Sequence, residues 1–313
     1  MSIRARTLPL GVDVGQSRVR VALVERATDA QPKLLAVAAQ DHHGDPIAAL
    51  GAALSELQTR ERRCVLALGL PDAVVRSVSF PPMTANERHK AARFEAARSV
   101  DYPIGEAAVS LVSDEHDDRW VLAIARRAAL ASAIRIARRS RLRPIAVDDT
   151  AFAFQRAHPN SDGVIDVGEG ASSLVIFRRG APWVTRIPTG GAHFRSAIAA
   201  GLGIDEEAAE RRKRLHGFGG AGTACRDEWL AAMAAAIGKA RSSGHADIQR
   251  LSVCGNGSRI PDLAEALGHA GGCTVAPATF PPETSDLVPA DVLRAAAPDW
   301  SLAFGLALWD SRG

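Results

Sequence analysis

Two stretches far apart in the chain share a short arrangement of acid and glycine. Asp13 and Gly15 lie in LGVDVGQSRVRVALV, and Asp166 and Gly168 lie in GVIDVGEGASSLVIF, so that aligning the segments sets Asp13 on Asp166 and Gly15 on Gly168. Alternating apolar residues flank each glycine, the period-two pattern of a strand, a tight turn and a return strand. A strand that ends in a carboxylate and turns through glycine offers backbone N–H donors for phosphate oxygens. It also offers an acid beside a metal that keeps most of its waters. The chemistry this suits is the holding of a nucleoside triphosphate and its Mg2+ between two hairpins. In hairpin one Asp13 is the metal-side carboxylate, Gly15, Gln16 and Ser17 give approach room and donors, and Arg20 on the return strand is placed to reach the terminal phosphates. In hairpin two Asp166 is the carboxylate, and Gly168, Glu169 and Ser172 belong to the second cradle. A lone Asp-x-Gly means little, because Asp also caps ordinary turns. The paired context carries the reading.

Other residues leave alternatives open. Gly255-Asn256-Gly257-Ser258, between an apolar strand and a helix, would let backbone pass close to an adenosine, or would be a plain strand-to-helix turn. Asp148, in Val-Asp-Asp-Thr, could orient an attacking water as the catalytic residue or cap the helix that follows. Glu210 and Lys213 stand three apart on one helix, either at a ligand or as a surface pair. Arg135, Arg138, Arg139, Arg141 and Arg143 read as a solvated helix face, with contact to acidic lipid or a partner as the other reading. No aromatics interleave with them as in single-strand nucleic-acid binders, so no nucleic-acid partner is expected.

These residues need a scaffold, and 313 residues with 47% hydrophobic and 23% charged side chains suffice for two compact domains. The net charge of +3 is spread over interleaved arginines and acids. Four scattered cysteines contain no Cys-x-x-Cys pair to suggest zinc, a redox centre or a disulfide framework, and a reducing compartment fits them best. No apolar run nears the roughly 18 residues of a membrane span, so a cytoplasmic, non-integral protein is expected.

The spacing predicts strands around hairpin one and near Leu34–Ala39, a helix over Ile47–Leu57, and a buried strand Val65–Leu70. A separate α+β unit follows over residues 71–142: strand Val74–Phe80, helix Ala85–Val100 with a Thr84/Glu87 capping box, strands Ala107–Ser113 and Trp120–Ala125, and helix Arg127–Arg141. The recurrence of the first hairpin at Gly163 predicts a second, similar lobe. Its elements are strand Pro182–Ile187, helices His193–Gly201, Glu206–Leu215 and Asp227–Arg241, strand Leu251–Cys254, and helix Ile260–His269. Trp300–Trp309 reads as a helix packing back on the body.

With three glycine loops in this order around an α+β unit, the whole chain resembles the PilM family of type IV pilus assembly proteins, on the FtsA-like branch of the actin-like ATPases. Further matching segments are VVRSVSFPPMTANERHKAARFEAARSVDYPI, LRPIAVDDTAFAFQRA, the Gly190-Gly191 pair, IDEEAAERRKR and the terminal FGLALW. The resemblance implies an α/β, actin-like (ribonuclease H-like) two-lobed fold. Lobe 1A would take residues 1–70 and 143–161, subdomain 1C 71–142, lobe 2A 162–299, and the closing helix 300–313. It implies ATP and Mg2+ as ligands and a place on the cytoplasmic face of the inner membrane. There such a protein holds the N-terminal cytoplasmic tail of a PilN-like inner-membrane protein across its 1A and 1C surfaces, with self-association as a further possibility. By the same resemblance Glu210 and Lys213 lie beside ribose and base. Departures are Arg20 for the usual Lys, Ser172 for the usual Thr, and Gly255-Asn256-Gly257 for the usual glycine pair of the adenosine loop. The expected function is thus an assembly scaffold, at most a slow ATPase. A type II secretion-related scaffold without nucleotide and a small-molecule kinase are the alternatives. A kinase needs an additional acceptor-side carboxylate as base, and no second signature of that kind stands out.

Overall fold

The computed structural model describes residues 6–26, 32–113, 119–244, 247–279 and 290–309, the side chains of 6 and 290–297 excepted. The first lobe opens with β1 (Arg6–Thr7), β2 (Leu10–Val14), β3 (Arg18–Arg26) and β4 (Lys33–Asp41), followed by α1 (Pro46–Leu57) and β5 (Arg63–Leu68). The α+β unit contributes β6 (Ala73–Ser79), α2 (Ala85–Ser99), β7 (Ala107–Ser113) and β8 (Arg119–Arg126). The chain returns through α3 (Arg127–Arg139), β9 (Arg143–Asp149) and α4 (Thr150–Ala157). The second lobe comprises β10 (Gly163–Val167), β11 (Ser172–Ile176), β12 (Trp183–Ile187), α5 (Gly191–Leu202), α6 (Glu206–His216), α7 (Thr223–Ser242), β13 (Arg250–Cys254), α8 (Leu263–Gly271) and β14 (Thr274–Pro277). The helix α9 (Ala290–Ala307) closes the described chain.

The duplication is visible in the strand order. In the first lobe β4, β3 and β2 form an antiparallel meander, and β5 and β9 continue it in parallel. In the second, β12, β11 and β10 form the meander, and β13 and β14 continue it in parallel. The central strands are apolar nearly throughout, because each sheet is covered on both faces. On one outer side α1 and α3 pack on the first sheet around Leu10, Val21, Leu50 and Leu66. On the other, Phe194, Trp229, Met233 and Ile237 of α5 and α7 pack on the second sheet. Between the sheets lie α4 and α9, whose Phe154 and Phe304 meet the second and the first sheet respectively. This is the two-lobed actin-like arrangement.

The middle layer fits because two glycines let backbone meet backbone. A Cβ on Gly11 of β2 would overlap Ala303 O of α9, and one on Gly305 of α9 would overlap Ala153 O of α4. The expected C-terminal helix is therefore present and begins earlier, at Ala290, running through Pro298; residues 310–313 lie outside the described residues.

The inserted unit is a three-stranded sheet, β6-β8-β7, with α2 on one face through Ala92, Ala96, Leu122 and Ile124. Its capping box forms as the spacing predicts, with Glu87 N donating to Thr84 Oγ1 at 3.3 Å and Thr84 N to Glu87 Oε2 at 2.8 Å. One expectation is corrected. α3, counted with this unit from the sequence, packs instead on the first-lobe core through Ala133, Ile136 and Ala137, because its apolar stripe faces α1 and β9. β1 and β14, too short or too exposed to show a period, were not expected.

Candidate functional site

Both hairpins close with the same hydrogen bond, Gly15 N to Arg18 O and Gly168 N to Ala171 O, each at 3.0 Å. Their tips meet in one cleft between the lobes, a cavity of about 250 Å3. It is bordered by Asp13, Gly15, Gln16, Ser17 and Arg20 from hairpin one and by Asp166, Gly168 and Glu169 from hairpin two. Gly255 and Asn256 come from the third loop, so most of the predicted ligand residues are gathered in one place. Gln16 reaches the second hairpin so closely that a Cβ on Gly170 would clash with its Oε1. The volume falls just below the ~300–1,000 Å3 of typical small-molecule sites, which is room for a phosphate chain with its ion.

Strand register explains the electrostatics. Arg20 lies directly opposite Asp13 across the β2–β3 pair, so the two side chains share a face. Its Nη1 donates to Asp13 Oδ2 at 3.3 Å, and its Nη2 crosses the cleft to Asn256 Oδ1 at 2.9 Å. Two departures from the family pattern, Arg20 and Asn256, thus bond to each other across the lobes. Asp166 has no such cation opposite it. Its cross-strand partner is Ser173, and its parallel neighbour is Cys254, whose Sγ stands 3.7 Å from Asp166 Oδ1. Burial first, and then the charge of Asp13, push the Asp166 carboxyl up to about 6, with Arg20 and Cys254 opposing. Burial likewise raises Asp13 against the pull of Arg20. The same surroundings hold the Cys254 thiol far above its ordinary value.

Two largely buried carboxylates, one raised by the charge of the other and served by one guanidinium, fit a divalent cation. Mg2+ needs only one or two protein carboxylates when phosphate and water complete its shell. Among the described residues no set of three or more His, Cys, Asp or Glu is placed to hold a metal ion. Arg20 Nε is also buried without a hydrogen-bond partner.

The raised Asp166 pKa sets a pH dependence. Because the folded value lies above the unfolded one, the stabilising contribution of the protonated carboxyl is complete below about pH 4 and lost as pH rises through about 6. Thermal melts across this interval should therefore show stability falling in the wild type and a flatter profile in Asp166→Asn. An unchanged slope in the variant would refute the assignment.

Other predicted residues sit elsewhere. Ser172 is fully buried, donating to Thr189 O at 2.7 Å and accepting from Trp229 Nε1 at 3.0 Å, so it anchors hairpin two rather than facing the cleft. Gly257 is buried against Val167, where any Cβ would clash. Asp148 is not at the cleft. It pairs with Arg156 and borders a second groove, between the inserted sheet and the ends of β5 and β9. The cap of α4 is Asp149, which accepts from Ala151 N at 2.8 Å and whose carboxyl burial pushes up to about 7. Glu210 and Lys213 also lie off the cleft lining. Lys213 Nζ, nearly fully buried, donates to Glu210 Oε2 at 2.5 Å and to Gly191 O at 3.0 Å. The third loop leads into a 3-10 turn, Asn256–Arg259, and α8 starts only at Leu263, so no long helix points its N-terminus from this loop. Gly255 itself requires its glycine: φ is +78°, and a Cβ would lie 2.6 Å from Asp166 Oδ1.

The sequence reading missed Arg195, whose Nη1 holds Glu169 at 2.7 Å and whose Nε holds Glu206 at 2.9 Å. It also missed the purpose of Gly190-Gly191. Gly191 N and Ala192 N donate to Gly168 O and Glu169 O at 2.9 and 2.8 Å, so the start of α5 seats hairpin two. Arg18, Arg186 and Asp299 also border the cleft. No local signal marks them, since each arrives from a different element.

Residues 163–296 match the family model described as cell division protein FtsA. The fold superposes on a solved structure described as the PilM-PilN type IV pilus biogenesis complex with a TM-score of 0.80 and 24% identity, covering 96% of this chain and 97% of that one. Ethanolamine utilization protein EutJ from Carboxydothermus hydrogenoformans aligns with a TM-score of 0.58 and 15% identity, over 99% of this chain and 91% of that one. A glycerol dehydratase reactivase aligns with a TM-score of 0.56 and 10% identity, over 96% of this chain and 99% of that one. No curated protein matches the chain by sequence. The actin-like fold and the resemblance to PilM on the FtsA branch are thus found in the structure as they are read in the sequence. Among the described residues no helix is long and apolar enough to cross a membrane.

Proposed function

We propose that this chain is a PilM-like, nucleotide-binding scaffold of type IV pilus assembly, working at the cytoplasmic face of the inner membrane. The observation that carries this reading is the pair of identically closed hairpins facing one cleft, within a fold that carries a separate three-stranded unit between β5 and β9. The turn amides of Gln16 and Ser17 and of Glu169 and Gly170 would donate to phosphate oxygens, Arg20 would share its guanidinium with the terminal phosphates, and Asp13 and Asp166 would face Mg2+. The ion would supply the positive charge that lets two carboxylates and a triphosphate share one small cleft. Catalysis is at most slow, because Asp148, the candidate for orienting water, lies in the other groove.

That groove suits the partner. Its walls are small and apolar, with Val75, Ala108 and Ala123 of the inserted sheet facing Leu68 and Val147 of the first lobe, and Asp148 and Asp149 at one end. An extended apolar segment, such as the N-terminal tail of a PilN-like protein, would bury such surface. Nucleotide holding the lobes closed would bias tail affinity only insofar as the two lobe positions differ in this groove.

A second reading is a scaffold that has lost nucleotide. In its favour, Arg20 already engages Asp13 and Asn256, and Lys213 and Glu210 satisfy each other. Isothermal titration of ATP with Mg2+ should give binding heat with the wild type and none with Asp13→Ala. Absence of heat from both would establish the second reading, and pull-down by no inner-membrane pilus tail would count against the scaffold.

A further inference from the structure

At the pole of the first lobe opposite the cleft, the structure gathers arginines that are scattered in the sequence. β5 and β9 run in parallel and start side by side, with Arg63 in register with Arg143 and Arg143 N donating to Arg62 O at 2.6 Å. Arg60 and Arg62 are exposed in the loop leading from α1 to β5. From the last turns of α3 and the step into β9 come Arg135, Arg138, Arg139, Arg141 and Arg143, all exposed. Within these two segments, residues 58–63 and 135–143, Glu61 is the one carboxylate, and it is held by Arg63 at 2.6 Å. Glu25, which reaches the same pole beside Thr7, is matched by Lys33 in register across β3 and β4. Eight arginines and one glutamate give the two segments seven positive charges, against +3 for the whole chain, so the remainder is net acidic.

Helix chemistry accounts for part of this. Arg138 and Arg139 complement the carbonyl end of α3, but such an interaction fades within one turn and does not reach Arg60, Arg62 or Arg143. Nor do the arginines form a structural network, since apart from Arg63 none of them enters an ion pair among the described residues. Ile145, 39% exposed, stands two residues beyond Arg143 on β9, which is the edge strand of its sheet. Positive charge of one sign around an exposed aliphatic side chain is what an anionic bilayer surface recognises: guanidinium groups meet lipid phosphates and the apolar residue enters the interface.

We propose that this arginine pole docks directly on anionic membrane lipid. It holds the scaffold at the bilayer independently of any protein tail, while the cleft and the groove at the other ends of the strands stay open to their ligands. This goes beyond the scaffold reading and does not require it, because the contact needs neither nucleotide nor partner.

Flotation of the full chain with vesicles tests it. The wild type should float with phosphatidylglycerol–phosphatidylethanolamine vesicles, fail to float with phosphatidylcholine alone, and be released by added salt as surface charges are screened. Arg60→Gln, Arg138→Gln, Arg139→Gln and Arg143→Gln combined should weaken vesicle binding by about a hundredfold or more, since each arginine near an anionic surface contributes on the order of 1 kcal/mol. Removal of the two exposed α2 arginines, Arg93→Gln and Arg98→Gln, should leave it unchanged. Equal flotation with both vesicle types, flotation with neither, or full binding by the quadruple variant with its melting temperature intact would each overturn the proposal. Preferential capture by duplex DNA at the same salt would overturn it in favour of a nucleic-acid surface.

Discussion

Gly305→Leu is expected to abolish folding of the first lobe or to cost at least about 3 kcal/mol, although it adds only an apolar side chain to a buried helix. At Gly305 the added Cβ meets Ala153 O, a backbone atom of α4 that no rotamer change can move. The crossing of α4 and α9 must therefore open. Opening it draws Phe304 and Ala307 off β3 and β4, and Leu302 off the second sheet. Arg156 Nε, which donates to Gly305 O at 3.0 Å, would lose that bond as well. Set against total stabilities of about 5–15 kcal/mol, such a loss is a large fraction. Gly238→Ala makes the contrast, because a Cβ there meets nothing within 4 Å in α7 and alanine favours a helix interior by ~0.5–1 kcal/mol. Urea denaturation of the three proteins decides it, and a Gly305→Leu midpoint equal to wild type would disprove the close crossing.

The second large effect is expected at the cleft. Among the described residues Arg20 is the cation bonded to Asp13; Arg20→Met removes it and leaves Asn256 Oδ1 without this donor, at a site where the Arg20 and Asp13 side chains are 10% and 14% exposed. Breaking a largely buried pair from one side costs about 3 kcal/mol, since the surviving charge is stranded. Asp13→Asn in the same chain removes the stranded charge and should restore most of the loss. A double-mutant cycle at neutral pH, read by denaturation, gives the coupling. Additive losses would show that the pair does not interact across the strands. Vesicle flotation of these variants should match wild type, separating the cleft from the arginine pole.

Much of the fold is legible in the sequence because strand and helix periods are local properties. Alternating Val12, Val14, Val19 and Val21 define hairpin one, and the Thr84/Glu87 cap fixes the start of α2 to the residue. The duplication is legible because two similar lobes need two similar hairpins. Domain ownership is less so. The apolar stripe of α3 declares that the helix packs, but not that its partner is α1 rather than the sheet it follows. The site divides in the same manner. Residues at the hairpin tips reach the cleft, since a turn between paired strands points one way. Ser172, Asp148 and Lys213 do not, because their direction depends on Trp229, Arg156 and Gly191, which arrive from distant elements.

The middle layer has a consequence for how the protein is made. The strands that α9 covers leave the ribosome long before α9 does. Until then the inner face of β3 and β4, with Ala22, Val24 and Leu34, lacks Ala303, Phe304, Ala307 and Leu308, so the nascent first lobe must wait with much of an apolar surface bare. Synthesis is thus the period in which this chain is most exposed to aggregation, and a chaperone that shields that face would act on a half-finished lobe rather than on a misfolded one.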